Sequence, residues 1–160
     1  MKAIMYHYIR NKSKEFSNLN ILKKKEFLKK INLFGYNNLI NREEDIFTYT
    51  KNKIILTFDD GFKDHIYVAE TLNKIGITGV FFITTGQYEN NQILDVHKTQ
   101  LLCAKIKPSD ILEELNKYLR NNKIKNFFNE KEKAKFSFAY SYHNDSNDKI
   151  KIKQIFNYYG

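Results

Sequence analysis

The chain has 160 residues, of which 42% are hydrophobic and 15% aromatic, with 27 Lys and Arg against 18 Asp and Glu for a net charge of +9. That composition excludes a disordered or fibrous chain, and the length favours one domain with a sizeable core. The single cysteine, Cys103, excludes an intrachain disulfide framework and a multi-cysteine zinc site.

Arg10, Arg42 and Arg120 are the chain's arginines, and its other basic residues are lysines in a background rich in Lys, Asn and Ile. Runs such as Lys23-Lys24-Lys25 and Lys29-Lys30 fall on the polar side of a helical pattern. Nucleic-acid readers depend on Arg and on charge gathered on one face, so the charge reads as solvated surface and no nucleic-acid partner is expected. No apolar run reaches the roughly 18–20 residues of a membrane span. The first ten residues have too short an apolar centre for a signal peptide, which gives a cytoplasmic expectation.

Along the chain, residues 3–9 are apolar and aromatic enough for a short strand with His7 near its end. Residues 20–34 follow as a helix, with Ile21, Leu28, Ile31 and Phe34 as its apolar stripe and Gly35 as terminator. Ile54-Ile55-Leu56-Thr57-Phe58 is a nearly continuous apolar run, the habit of a parallel strand covered on both sides. A helix begins near Phe62, carries Val68, Leu72 and Ile75, and closes at Gly76; residues 78–84 form a second buried strand. Strand, helix and strand in about thirty residues make a βαβ unit. Residues 95–106 are predicted helical, and a further helix starts at Pro108-Ser109, with Ser109 as N-cap and Leu112, Leu115 and Leu119 buried. Residues 121–135 read as a polar loop with a short helix, 136–142 as a strand, and 149–159 as a helix built on Ile152, Ile155, Phe156 and Tyr159.

The chemistry concentrates at Leu56-Thr57-Phe58-Asp59-Asp60-Gly61. Two adjacent carboxylates at the C-terminal end of a buried strand stand where α/β folds put working groups. They repel each other unless a cation or a shared proton intervenes, which points to a metal or an acid/base role. Gly61 permits a sharp turn and a close backbone approach to a ligand. For Asp-Asp-Gly alone an Asx turn is the commoner explanation, and an aspartate nucleophile of the phosphatase type is disfavoured because such sites alternate Asp-x-Asp whereas these carboxylates are adjacent.

With its buried strand, the following helix and Gly79-Val80-Phe81-Phe82-Ile83, the segment resembles the polysaccharide deacetylases, the NodB-homology group of carbohydrate esterase family four. Thr57-Phe58-Asp59-Asp60-Gly61 matches the family's first motif without substitution, and Met5-Tyr6-His7 looks like the opening of many members. The resemblance runs from Met1 to about Leu102. It implies an α/β fold, a distorted (β/α) barrel, here partial and truncated at the C-terminus as one incomplete domain over residues 1–160. It also implies a metal-dependent hydrolase removing acetyl groups from a carbohydrate such as a bacterial surface-glycan precursor. Asp59 would be the general base and Asp60 a ligand of a divalent metal, zinc first, with nickel or cobalt as alternatives. The family's second motif has two histidines a helical turn apart. Here His97 fits the first, while Leu101 stands at the second and Gln100 one position before it. The missing ligand is then Gln100, or His7 arriving from the first strand, or absent. In the last case the chain is a degenerate sugar-binding or interaction protein that keeps the first half of the fold. The residues assign no role to His65 and place it where it could face solvent. His143 reads as loop, and Cys103 as a small buried hydrophobe.

Overall fold

The computed structural model describes residues 1–48, 51–89, 91–124 and 145–159. The predicted strand at 136–142, His143 and most of the loop predicted at 121–135 lie outside them. The protein is a mixed α/β chain that divides into two compact units, one of Met1–Lys12 with Asn20–Asn91, the other of Ser13–Leu19 with Gln92–Gly160. No described helix is long and apolar enough to cross a membrane.

The first unit is built on a parallel sheet of β1 (Lys2–Tyr6), β2 (Ile54–Phe58) and β3 (Gly79–Phe81), in the order β1-β2-β3. The register pairs Tyr6 with Phe58 and Phe58 with Phe81, so three aromatic rings form a row across one face. Phe58 stacks on Tyr6 at 5.6 Å and on Phe81 at 4.7 Å between ring centroids. Helices α1 (Lys24–Phe34) and α3 (Asp64–Lys74) bring Phe27, Ile31, Val68 and Leu72 to the core of that same face. Complete burial of rings such as Phe27 and Phe58 stabilises by about 2–3 kcal/mol each. The opposite face carries the row Met5, Thr57 and Val80, where Met5 is 55% exposed. Ile55, on that face, is buried. The βαβ unit of β2, α3 and β3 follows the expectation, as does the close of α3. There Gly76, at φ 66°, donates to Asn73 O and Ile77 to Leu72 O, a left-handed helix stop that glycine adopts without a Cβ penalty. A short helix α2 (Glu44–Phe47) precedes β2.

Several predicted boundaries move, each for a tertiary reason. The first strand ends at Tyr6 rather than Ile9, because β2 turns away after Asp59 and the backbone of 8–10 pairs instead with Leu22. Arg10 N–H donates to Leu22 O and Leu22 N–H to Tyr8 O. That pairing keeps residues 20–22 out of α1, which starts at Lys24, with the Glu26 carboxylate accepting from Lys23 N–H. Phe27, not Leu28, faces the core, and Leu28 is exposed. β3 stops at Phe81, leaving Phe82 and Ile83 exposed past the end of β2.

Apart from the turns of Ser13–Leu19 and short connections, the described part of the second unit is helical. After the short helix α4 (Gly86–Glu89) of the first unit come α5 (Asp95–Lys105), α6 (Pro108–Asn121) and α7 (Asn147–Tyr159). Cys103, Ile111, Leu112, Ile152 and Ile155 form its core, flanked by Leu102, Leu115 and Phe156. Ser109 is not the N-cap of α6: Pro108 takes the first helical position, where its missing N–H costs nothing, and Lys107 caps. Asp145 is buried between Lys149 and Lys153. Burial works to raise its carboxyl, and the two lysines outweigh it and hold it below the usual range.

Candidate functional site

Parallel pairing brings the C-terminal ends of β1 and β2 to the same edge of the sheet. Asp59 N–H still donates to Tyr6 O at 3.0 Å, so the ladder continues one residue past β2. Alternation puts Asp59 on the face of Thr57, away from the aromatic row. The chain then turns through two left-handed residues, Asp60 at φ 76° and Gly61 at φ 62°. Aspartate tolerates this region better than most residues with a Cβ, and glycine at no steric cost. The predicted sharp turn at Gly61 is therefore observed. What approaches its backbone, however, is protein. The Tyr88 hydroxyl donates to Gly61 O, and a Cβ added to Gly61 would lie 3.1 Å from both Ile83 Cγ2 and Tyr88 Oη.

His7, the first residue beyond β1, lies beside Asp60, with Nε2 3.7 Å from Asp60 Oδ2; both side chains are about a quarter exposed (29% and 21%). Of the residues singled out from sequence, the structure thus gathers His7, Asp59, Asp60 and Gly61 at one end of one sheet. His97 and Gln100 belong to the second unit, on α5, where His97 is buried and Gln100 half-buried. Among the described residues, no three His, Cys, Asp or Glu side chains gather closely enough to hold a metal ion. The separation of His7 Nε2 and Asp60 Oδ2 matches that of two donors of one ion, one fewer than the three protein ligands of a catalytic zinc site. Zinc lies about 2.0–2.2 Å from nitrogen and oxygen ligands, so two donors of one ion stand roughly 3–4 Å apart.

The segment that carries His7 is held from α3. Asp64 Oδ2 accepts from Ile9 N–H at 3.2 Å and from Arg10 Nε at 2.6 Å. The Arg10 guanidinium lies over the rings of Tyr8 and Phe62, 5.1 and 5.5 Å from their centroids. Tyr8 is buried, which pushes its phenol up to about 12; Arg10 opposes the shift and Asp60 and Asp64 add to it. His65 does not face solvent. It is 5% exposed, and its Nε2 donates to the His7 carbonyl oxygen at 2.7 Å.

Asp64, Arg10 and His65 were not marked by any motif. A signal for His65 existed, because 65, 68 and 72 fall at i, i+3 and i+7 and extend the buried stripe of α3 back by one turn. Around the turn, Ile83 and Tyr88 lie against Gly61, and with Phe82 they are exposed apolar and aromatic side chains. The chain matches no protein-family model, no curated protein and no solved structure.

Proposed function

We propose that the chain is a metal-dependent carbohydrate deacetylase of the polysaccharide deacetylase type, whose first unit is an arc of a distorted (β/α) barrel. The observation that carries the reading is the juxtaposition of His7 and Asp60, next to Asp59, at the C-terminal end of a parallel sheet. Supporting it are the Thr57–Gly61 motif and a sheet with α1 and α3 packed on one face, as an arc of such a barrel would be.

In this reading Asp60 and His7 hold a divalent ion, zinc first, and His7 takes the place of the histidine that Leu101 replaces. When bound, the ion supplies a Lewis acid for the acetyl carbonyl. Asp59, on the neighbouring ladder position, accepts the proton of the attacking water as general base. Exposed Tyr88 and Phe82 offer ring faces to a sugar. The acetylated substrate is a glycan or glycan precursor.

The test is zinc content and affinity of the purified chain, wild type beside Asp60→Ala, His7→Ala and His97→Ala, followed by acetate release from acetylated chito-oligosaccharides. Stoichiometric zinc that is lost in Asp60→Ala and His7→Ala, with Asp59→Asn retaining zinc but not hydrolysis, is the expected result. Tight zinc binding indifferent to Asp60→Ala would sink the assignment. Folded protein that takes up no zinc yet binds the oligosaccharide would favour the second reading, a sugar-binding protein without turnover, for which Leu101 already speaks.

A further inference from the structure

His65 is a polar side chain in an apolar place. Its ring is nearly inaccessible and packs against three phenylalanines, with centroids 5.7 Å from Phe58, 5.7 Å from Phe62 and 6.0 Å from Phe81. One nitrogen is used: Nε2 lies 2.7 Å from the His7 carbonyl oxygen. A carbonyl only accepts, so Nε2 carries the hydrogen. The other nitrogen, Nδ1, is buried with no hydrogen-bond partner among the described residues. Burying a polar atom unpaired is unfavourable, and an apolar ring would fill the same space without that cost. Among the described residues, the polar contact of the ring that offsets it is the bond to residue 7.

That bond is well placed to matter. The ladder of β1 ends at Tyr6, so the backbone of His7 lacks the sheet pairing that fixes the five residues before it. Two consecutive residues at the start of α3 take over: His65 holds the carbonyl of residue 7, and Asp64 holds the N–H of residue 9 and the Arg10 side chain. A carbonyl held in direction orients the peptide plane after residue 7 and, through the single Cα–C torsion that links them, restricts the Cα–Cβ vector from which the His7 imidazole reaches Asp60.

We infer that His65 is a positioning residue for His7, acting through the His7 carbonyl to set the imidazole against Asp60. The inference rests on the proposed site at His7 and Asp60. His65 touches neither ion nor substrate.

The experiment uses the full chain and two substitutions. His65→Gln keeps an N–H donor close to the position of Nε2, whereas His65→Leu keeps the volume and removes the donor. Loss of an outer partner of a metal ligand weakens metal binding by about 10- to 100-fold. Zinc affinity is therefore expected to fall by that factor in His65→Leu and to stay within about threefold of wild type in His65→Gln. The second readout needs no metal: the imidazole resonances of His7 move in His65→Leu and stay in His65→Gln. A structural role alone would lower stability without displacing His7 resonances in the folded protein. Folded His65→Leu with wild-type zinc affinity and unmoved His7 resonances overturns the inference, and so does His65→Gln behaving like His65→Leu. Should His65→Leu not fold, nitrogen-15 spectra of wild type decide. The hydrogen must reside on His65 Nε2 and exchange slowly, and a hydrogen on Nδ1 instead overturns the assignment. Zinc binding unaffected by Asp60→Ala refutes the site, a different failure, while the His7 resonances still report on positioning.

Discussion

Replacing Asp64 by alanine tests how the first unit holds the segment that follows β1. Asp64 Oδ2 is the acceptor for Ile9 N–H and Arg10 Nε, its side chain is 9% exposed, and Ile9 is completely buried. Truncation strands the Ile9 N–H away from water, which costs about 1–3 kcal/mol. The Arg10 side chain is 40% exposed, so its ion pair is discounted for solvent to roughly 0.5–1 kcal/mol. The two effects place Asp64→Ala about 1.5–4 kcal/mol below wild type, centred near 2.5. With a urea slope of about 1–1.5 kcal/mol per molar for a unit of this size, the unfolding midpoint falls by roughly 2 M.

Asp64→Asn keeps an acceptor for Ile9 and loses the charge, so it should fall by only about 1 kcal/mol. Arg10→Ala should do the same while leaving the Ile9 bond intact. Urea titration followed by far-ultraviolet circular dichroism measures the midpoints, and hydrogen exchange reports the Ile9 amide directly. An Asp64→Ala midpoint within about 0.3 M of wild type, or undiminished protection of the Ile9 amide, would refute the account.

Three further outcomes follow from the same geometry. Asp60 sits at φ 76°, so Asp60→Gly should stay within about 1 kcal/mol of wild type in stability, while β-branched Asp60→Val should lose at least about 1–2 kcal/mol more; equal melting temperatures would contradict this. Burial pushes the Cys103 thiol up, its chief cause, against the opposing lysines Lys149 and Lys153, so it should resist a thiol reagent in the native protein and react promptly in denaturant; rapid native labelling would count against the packing of α5. The Asp145 carboxyl is held below its unfolded value of about 3.9, so its contribution to stability is present above that pH and is lost as pH falls through the lower folded value. The melting-temperature gap between wild type and Asp145→Asn should therefore narrow as the solution is acidified below about pH 4, and a constant gap would be the contrary result.

Elements whose cause is local were legible in the sequence. The apolar run at 54–58 announces a parallel strand, the spacing of Val68, Leu72 and Ile75 announces α3, and glycine marks where α3 stops. Boundaries set by distant partners were not. Nothing in residues 7–9 says that their neighbour after Tyr6 is Leu22 and the start of α3 rather than β2, so β1 is read three residues too long. Leu28 and Phe27 are equally apolar, and only the position of the Tyr6 and Phe58 rings, against which Phe27 packs edge-on at 5.4 and 6.0 Å, decides which one is buried. Ser109 has the chemistry of a cap, yet the preference of Pro108 for the first turn moves the boundary past it.

The candidate site divides the same way. Asp59, Asp60 and Gly61 are contiguous, so a motif finds them. His7 joins them through a register, Met5 with Thr57 and Tyr6 with Phe58, which carries His7 to the level of Asp59 and within reach of the turn at Asp60. A slip of one residue would put the aromatic row on the wrong face and take His7 out of reach, so the stacking of Tyr6, Phe58 and Phe81 that stabilises the core also selects the arrangement of the site. Substitutions in that row should accordingly act on the site as well as on stability. Phe58→Leu, which preserves apolar character but loses both stacks, should loosen the approach of His7 to Asp60 before it unfolds the unit.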